Sequence, residues 1–307
     1  MRVVCGLARF TPLPRRPAAA IGNFDGVHLG HRKLLARLRA VAETEGLSSL
    51  VLTFHPHPAR ALGTASPPMI DTLEQRMARI AEAGIDAALV VPFDRRFAGL
   101  SAEDFVGKVL VAKLRVRELV VGRDFRFGRD RRGDIAVLRR LGRPAGLDVQ
   151  AVPPVVRDGR PVSSSAVRHL LRDGRVDAAA RLLGRPYEVA GRVVGGSRRG
   201  RGLGFPTANM ETENEILPDG VFISEAVWKG GCLPSVTSIG TNPTFGPHPV
   251  RVETHVLGRR VDLYGHRMTV RLLRRIRPTV KFRSPEALAA AIAGDVAEAA
   301  AYFGERD

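Results

Sequence analysis

Cysteines and long apolar runs are scarce in this chain. Its 307 residues include two cysteines, Cys5 and Cys232, which are too few for a disulfide framework or a cysteine-rich metal site. Apolar stretches such as 87–93 fall short of the roughly 20 residues that a membrane-spanning helix needs. Arginines and prolines between residues 9 and 16 interrupt any signal-peptide core. We therefore expect a cytoplasmic protein without a membrane partner.

Lysine is also scarce, although the chain is strongly basic. Its 48 Lys and Arg against 31 Asp and Glu give a net charge of +17, and only five of the 48 are lysines. Such a charge is compatible with nucleic-acid binding, because cationic side chains neutralise backbone phosphates. It is equally compatible with small phosphate ligands, which the forked arginine side chain binds well. Most of the excess indicates compositional bias, and the charge alone leaves both classes open.

The first part of the chain predicts a Rossmann-like α/β domain over residues 1–183. Short β-rich runs alternate there with helical patterns, which is typical of a parallel sheet. One helix is expected to start at Ser101 and to bury Phe105, Val109 and Ala112. The strand candidates are 19–24, 50–54, 87–93, 119–122 and 149–152.

The remainder, residues 184–307, predicts a small β domain. Closely spaced strand-like runs favour an antiparallel barrel or sandwich. A final helix is expected to start at Ser284 and to bury Leu288, Ile292 and Val296. The strand candidates are 187–194, 221–228, 235–239, 251–257 and 268–273.

Segment 22–31 places two histidines at the start of a predicted helix. His28 and His31 are three residues apart and follow a strand candidate. Backbone N–H groups and the helix dipole favour an anion at such a position, and Gly26 and Gly30 would leave the backbone open to a polyphosphate. The segment predicts a triphosphate site; two surface histidines beside an ordinary turn are the alternative.

This segment resembles the H-x-G-H nucleotidylyltransferases, in particular the adenylyltransferase module of prokaryotic bifunctional riboflavin kinase/FAD synthetases. The resemblance extends through 53–58, 122–128 with 132–134, and 163–168, where Ser165 replaces threonine. It implies catalytic roles for His28, His31 and Arg168. It also implies ATP contacts from Gly22, Asn23, Phe24, Asp25, Gly30, Ser164 and Ser165, and flavin contacts from Phe54, Asp124, Phe125 and Arg126.

These segments also have plain structural interpretations. The serine run can be a simple helix cap, with Arg168 a solvated helix residue. Segment 122–128 can be a loop pinned by its aromatic residues, and 53–58 a rigid turn. His55 and His57 lack a neighbouring Cys or acidic partner, so no zinc site is expected there.

A glycine- and arginine-rich run at 191–210 predicts a second phosphate site. It contains no Walker Gly-Lys-Ser/Thr ending, but its arginines can cradle phosphates. Thr207 and Asn209 supply neutral oxygens on one side of an extended segment, which suits Mg²⁺ held mainly by substrate phosphates. Composition alone favours a flexible linker instead.

The same run resembles the hallmark of riboflavin kinase domains, as do 218–222, 239–246, 252–255 and 262–265. Glu253 lies in a strand between Val252 and Thr254, and we expect its carboxylate to be aimed into a barrel mouth as general base. A solvated strand glutamate is the alternative. The resemblance implies Mg²⁺ ligands Thr207 and Asn209 and ATP contacts Gly196, Arg198, Gly200, Arg201, Gly204 and Pro206.

Together these features predict a bifunctional flavin enzyme with ATP as co-substrate. It would phosphorylate riboflavin to FMN and then adenylylate FMN to FAD, releasing pyrophosphate. We expect Mg²⁺ as cofactor and no nucleic-acid partner; the oligomeric state stays open. The competing interpretations are an H-x-G-H enzyme with another acceptor, and an arginine-rich nucleic-acid-binding protein without catalysis.

Overall fold

The computed structural model describes residues 1–195, 204–241, 250–259 and 261–305. The chain divides into two compact units, Met1–Ser163 and Ser164–Asp307. Each unit has its own apolar core.

The first unit is built on a six-stranded parallel sheet in the order β1-β4-β3-β2-β5-β6. Every residue of the central strand β2 is buried, which is typical of a parallel sheet covered on both faces. The expected α/β fold is confirmed. The strands are β1 (Arg2–Cys5), β2 (Pro17–Ile21), β3 (Ser48–Phe54), β4 (Ala87–Val91), β5 (Glu118–Gly122) and β6 (Asp148–Val152).

Helices cover both faces of this sheet. They are α1 (Leu29–Thr44), α2 (Pro58–Ala61), α3 (Leu73–Glu82), α4 (Arg95–Ala98), α5 (Ala102–Asp104) and α6 (Ile135–Gly142). The apolar faces of α1 and α3 pack on one side, and the region after α5 packs with α6 on the other. Short 3-10 turns lie at Leu7–Arg9, Arg129–Arg131 and Arg143–Ala145, and β7 (Val156–Arg157) forms a hairpin with β8 (Arg160–Pro161).

The helix that starts at Ser101 departs from an ordinary α-helix. Ser101 Oγ caps it by accepting a hydrogen bond from the Asp104 N–H at 3.0 Å, as expected. After α5 the helix continues as a π-helix, Phe105–Lys113. Its wider turn changes which later residues face the sheet, so the expected burial of Ala112 is wrong. The buried residues are Phe105, Val106, Val109 and Leu110.

The order of the sheet changes direction at β2. The chain proceeds from β2 to β3 and β4, then crosses to the other side of β2 to form β5. Open α/β sheets bind ligands beyond the carboxyl ends of the strands at such a switch point. The loops after β2 and β5 contain segments 22–31 and 122–128, so these two segments emerge from neighbouring strands.

The second unit contains a closed six-stranded barrel in the order β10-β13-β12-β11-β14-β9. All its strand pairs are antiparallel, which confirms the expected barrel. The strands are β9 (Tyr187–Val194), β10 (Ala208–Thr212), β11 (Gly220–Trp228), β12 (Gly231–Gly240), β13 (Arg251–Val256) and β14 (Arg267–Arg277).

Two helices precede the barrel within the same compact unit. These are α7 (Ser164–Arg172) and α8 (Val176–Leu183), and α8 packs on β14 and β9. The compact unit therefore starts at Ser164 rather than at residue 184. The assignment of the two activities to residues 1–183 and 184–307 stays a prediction.

Hydroxyl groups line part of the barrel interior. Ser224 Oγ lies 2.8 Å from both Ser235 Oγ and Thr237 Oγ1, and Thr237 Oγ1 lies 3.0 Å from Thr254 Oγ1. All four residues are at most 1% exposed. This hydroxyl chain crosses β11, β12 and β13 and satisfies polar groups that would be costly to bury alone.

A final helix, α9 (Pro285–Gly304), lies against the barrel. Ser284 caps it, as expected, and Val296 packs on apolar residues of β11 and β12. The residues buried most deeply, however, are Asp295 and Ala299. By length and composition alone α9 is apolar enough to cross a membrane, but its Asp295 makes a two-bond ion pair with Arg277 of β14, at 2.9 and 2.7 Å.

Candidate functional sites

Buried groups fix the turn that follows β2. Asp25 is 1% exposed and accepts hydrogen bonds from the N–H groups of Ile70 (2.9 Å) and Asp71 (3.4 Å). Phe24 and Val27 are buried with φ angles of 49° and 36°, which non-glycine residues adopt only where surrounding contacts impose them. Phe24 and Asp25 thus shape the turn from within.

His28 and His31 form a stacked pair at the N-terminus of α1. Their ring centroids are 3.8 Å apart, with 16° between the ring planes. His28 is the N-cap residue, and its Nδ1 accepts a hydrogen bond from the His31 N–H at 3.4 Å. A neutral His28 ring therefore carries its proton on Nε2 and can donate from that atom.

The surroundings of His31 favour its neutral form. Burial lowers the pKa of His31 well below 6.5, and the neighbouring His28 and Arg76 lower it further. Its Nδ1 is buried and has no hydrogen-bond partner among the described residues. Because buried polar atoms are normally paired, the ring is suited to an anionic ligand, which would favour its protonated form.

Gly26 and Gly30 are needed by the turn itself. Gly26 has a φ of +79°, and a Cβ there would lie 2.9 Å from the Ile70 side chain. A Cβ at Gly30 would lie 3.0 Å from the His28 ring. The packing of the turn and of the histidine pair therefore requires both glycines, and their role in leaving the backbone open to a polyphosphate stays a prediction.

Asn23 connects this turn to the segment after β3. Its side-chain amide lies 3.2 Å from His57 Nε2, and His57 caps α2. Among the described residues, no group of three or more His, Cys, Asp or Glu side chains could hold a metal ion. The described contacts of His57 therefore hold the turn after β2 against the start of α2.

A row of phenylalanine rings runs near the carboxyl ends of β3, β4 and β5. Phe54 lies 5.3 Å from Phe93 and 5.8 Å from Phe97 between ring centroids. The two aromatic flavin-contact candidates, Phe54 and Phe125, belong to this row. No functional role was predicted from the sequence for Phe93 or Phe97, because aromatic residues after a strand are usually core residues. From Phe97 the row continues through Phe105 and Phe127 to Phe125.

The loop after β5 is fixed at both ends. Phe125 N–H donates to the Gly122 carbonyl at 3.0 Å, and Asp134 caps α6. Arg126 lies 3.3 Å from Asp134 in an ion pair. Arg126 and Asp124 are both exposed, so the loop presents a cation and an anion on either side of Phe125.

Ser164 and Ser165 begin α7, and Arg168 follows one turn later. Arg168 is 8% exposed, so its interpretation as a solvated helix residue is wrong. These residues belong to the second compact unit. Their contribution to ATP binding stays a prediction.

The barrel places Asn209 and Glu253 side by side on its wall. Asn209 on β10 is directly opposite Glu253 on β13, a pairing that puts two Cβ atoms within about 5.5 Å on the same face. Val252 and Thr254 are each 1% exposed and point inward, so the half-buried Glu253 points outward. The expectation that Glu253 is aimed into a barrel mouth is therefore wrong.

His255 supports the segment that leads into β10. The Pro206 carbonyl lies 2.8 Å from His255 Nδ1, which must donate the hydrogen bond because a carbonyl only accepts. The Phe205 ring packs edge-on against His255, with centroids 5.6 Å apart. His255 is two residues after Glu253 and lies on the same face of β13. It therefore fixes the backbone just before Thr207.

Six expected ATP contacts belong to the glycine- and arginine-rich run. Gly196, Arg198, Gly200 and Arg201 lie outside the described residues. Of the remaining contacts in this run, Gly204 is exposed with a φ of +87°, and Pro206 is half-buried.

Fold and geometry together define a class of enzyme. A histidine pair at a helix N-terminus above the switch point of a parallel sheet is suited to a nucleoside triphosphate. A carboxylate beside an asparagine on a barrel wall is suited to phosphoryl transfer. The chain is thus a nucleotide-dependent transferase with two candidate sites.

Comparisons with known proteins identify the family. Residues 11–166 match the FAD synthetase family and residues 183–303 match the riboflavin kinase family. The bifunctional riboflavin kinase/FMN adenylyltransferase of Escherichia coli (strain K12) is 39% identical over 308 residues, covering 99% of this chain and 98% of its own. That of Pseudomonas fluorescens is 41% identical over 303 residues, covering 98% and 97%. That of Bacillus subtilis (strain 168) is 35% identical over 295 residues, covering 92% of each.

A solved structure extends this likeness to the whole fold. It is described as a macrolide-efflux protein from Streptococcus pneumoniae and matches with a TM-score of 0.87 at 28% identity, over 96% of this chain and 97% of its own. The chain belongs to the family of bifunctional riboflavin kinase/FMN adenylyltransferases. Its two activities are the two in that family name.

Proposed function

We propose that riboflavin is phosphorylated on the outer barrel face that carries Asn209 and Glu253, and that FMN is adenylylated at the His28–His31 pair. The observation that supports this division most directly is the cross-strand pairing of Asn209 with Glu253. It brings a neutral oxygen ligand and a potential base together within the riboflavin kinase match. The histidine pair lies within the FAD synthetase match.

In the kinase reaction, Glu253 acts as the general base. Its carboxylate accepts the proton of the riboflavin 5′-hydroxyl as that oxygen attacks the γ-phosphorus of ATP, and ADP leaves. Through its bond to Pro206, His255 holds the segment that ends in Thr207. The products are FMN and ADP.

Donors at the start of β10 and in the segment just before it fit Mg²⁺. Thr207 and Asn209 offer neutral oxygens, which suit a magnesium ion whose other ligands are substrate phosphates and water. Bound there, the ion would neutralise charge on the ATP phosphates. We assign Thr207 and Asn209 as its protein ligands.

In the adenylyl transfer, the chain supplies positive potential and no nucleophile. The phosphate of FMN attacks the α-phosphorus of a second ATP, and pyrophosphate leaves. His28 donates from Nε2, and His31 with the first N–H groups of α1 stabilises charge on the phosphates. Phe54 and Phe125 contact the flavin. Both reactions consume ATP, which supports a cytoplasmic location.

Two variants test this division of labour. Glu253→Gln is expected to lower FMN formation by about 10²- to 10⁴-fold, the usual contribution of a general base, and to leave conversion of supplied FMN to FAD unchanged. His31→Ala is expected to do the reverse and let FMN accumulate. Chromatographic separation of riboflavin, FMN and FAD measures both steps in one reaction.

A matched glutamate provides the control. Glu225 lies in the same barrel and pairs with Arg271 at 3.5 Å, so Glu225→Gln makes the same chemical change away from Glu253. It is expected to keep both activities. If Glu253→Gln and Glu225→Gln behave alike, Glu253 is not the base. If Glu253→Gln and His31→Ala each abolish both activities in folded protein, the two sites are not separate.

A further inference from the structure

Arg76 is a buried cation beneath the candidate adenylyl-transfer site. It lies on α3, is 1% exposed, and is among the largest fully buried side chains of the chain. Its Nη1 donates to the Asn23 carbonyl at 2.7 Å, and its Nη2 donates to the Phe54 carbonyl at 3.1 Å. One guanidinium group therefore joins the backbone after β2 to the last residue of β3.

The two segments that Arg76 joins are assigned to different substrates. Asn23 belongs to the turn that leads to the histidine pair, on the ATP side. Phe54 begins the row of aromatic rings, on the flavin side. Thr53 Oγ1 also donates to the Asn23 carbonyl, at 3.2 Å, so this carbonyl is held from both β3 and α3.

The helix that carries Arg76 is itself well fixed. Thr72 and Gln75 form a reciprocal capping box at its start, with bonds of 3.2 and 2.9 Å. Burial lowers the pKa of Arg76, and the negative charges of Asp25 and Asp71 oppose that effect. The Nε atom of Arg76 is buried and has no hydrogen-bond partner among the described residues.

Stability alone does not account for this arrangement. Burying a charge carries a large desolvation cost, and a well-packed apolar side chain of similar volume often stabilises a fold as well or better. The planar fork of arginine can bind two carbonyl groups at a fixed separation, which a single ammonium group does not do. The geometry therefore serves the relative position of the two segments.

We propose that Arg76 is a positioning residue for adenylyl transfer, which fixes the ATP-side turn at Asn23 against the flavin-side strand end at Phe54. This inference rests on the proposed placement of FMN adenylylation at the histidine pair. Arg76 need not touch either substrate. Its contribution is to hold the FMN phosphate and the α-phosphorus of ATP at the distance and angle needed for attack.

The test compares Arg76 with a neighbour on the same helix. Arg79 is also buried, and its Nε lies 3.1 Å from Asp71 Oδ2, so the partner described for it is a carboxylate and not the Asn23 or Phe54 carbonyl. Arg76→Met is expected to lower kcat for adenylyl transfer by about 10- to 100-fold, as a misplacement near 1 Å does, with a smaller change in KM for ATP and FMN. Arg79→Met is expected to keep kcat near that of the parent chain. Riboflavin kinase activity, measured on the same samples, reports on folding of the rest of the chain.

Arg76→Lys adds a graded readout. It keeps the charge and one carbonyl bond, so it is expected to recover part of the kcat that Arg76→Met loses. If Arg76→Met lowers kcat no more than Arg79→Met, or lowers both activities equally, the inference is wrong. If either methionine variant is unfolded by circular dichroism, Arg76→Lys and Arg79→Lys decide: a selective loss of adenylyl-transfer kcat in Arg76→Lys supports the inference, and equal behaviour overturns it.

His31→Ala, assayed in parallel, distinguishes failure of the proposed adenylyl-transfer site from failure of the positioning role of Arg76. If His31→Ala leaves adenylyl transfer intact, the proposed site itself is wrong. If it abolishes adenylyl transfer while Arg76→Met matches Arg79→Met, only the positioning role is wrong.

Discussion

Gly191 on β9 offers a sharp test of how the barrel wall positions the proposed kinase site. It pairs with Thr212 of β10 and with Met268 of β14. A Cβ at Gly191 would lie 1.9 Å from the backbone oxygen of Glu211, where real Cβ contacts under 3.0 Å essentially never occur. Glycine in a strand commonly marks such a close backbone approach at a barrel corner.

The distances set the size of the expected effect for Gly191→Ala. Relief of the overlap requires β10 to withdraw by about 1 Å, and the group that must yield is backbone. Overpacking lowers the free energy of unfolding by about 1–3 kcal/mol. We expect a value near the upper end, about 3 kcal/mol, here, because the atom in the way belongs to the backbone and cannot rotate aside. For a unit of this size that corresponds to a fall in Tm of about 10 °C. Because Asn209 lies on the same short strand, we expect riboflavin kinase kcat/KM to fall by up to about 100-fold.

The assay combines thermal unfolding with both activity measurements. Gly294 in α9 is the control, because a Cβ built there has no described atom within 4 Å apart from its chain neighbours and the backbone of its own helix. The same Gly→Ala change in the interior of a helix is expected to raise stability by about 0.5–1 kcal/mol. FMN adenylylation should persist in Gly191→Ala below its unfolding temperature. Unchanged Tm and kinase activity in Gly191→Ala would refute the reasoning.

Three further predictions concern stability. Asp295→Ala removes the two-bond partner of Arg277 and should lower the free energy of unfolding in urea by about 2–3 kcal/mol. This is less than for a fully buried pair, because the Arg277 side chain is 23% exposed. A decrease under about 0.5 kcal/mol would contradict the contact. Thr237→Val removes a hydroxyl that contacts Ser224 and Thr254 and should cost about 1–3 kcal/mol, with little change in packed volume. For His31, the folded-state pKa lies below the unfolded value of 6.5, so the unfolded chain binds the proton more tightly. Stability of the ligand-free protein should therefore be lost as pH falls below about 6.5, and His31→Gln should lose less of it over that range in parallel unfolding curves.

Apolar patterning predicted most of the fold, and tertiary context explains the differences. Strand β9 was expected at 187–194 and lies at Tyr187–Val194, because its inward and outward residues alternate clearly. Strand β10 was not expected, since only Met210 in its sequence is buried. Ala112 was misplaced because hydrophobic spacing assumes an α-helical turn, and nothing in that spacing indicates a π-helix.

The candidate sites show a similar division between local and long-range information. The histidine pair follows from a local motif, and its place above the switch point follows from strand order. Arg76 could not be found this way, because its partners Asn23 and Phe54 are distant in sequence. The direction of Glu253 was readable in principle, since Val252 and Thr254 flank it. Thr254 is polar, however, and nothing in the sequence indicated that a hydroxyl group would face the barrel interior.

The hydroxyl chain in the barrel also affects how firmly Glu253, the proposed general base, is held. It joins β11, β12 and β13 through side chains as well as backbone, and each hydroxyl polarises the next. Thr254, the last residue of this hydroxyl chain, directly follows Glu253 in the sequence. Its side chain is hydrogen-bonded inside the barrel, while the side chain of Glu253 lies on the outer face. We expect the amide hydrogens of β13 to exchange with solvent only when the whole barrel opens. The backbone that carries Glu253 would then be rigid during the reaction, and the substrate would have to move to adjust the distance between them.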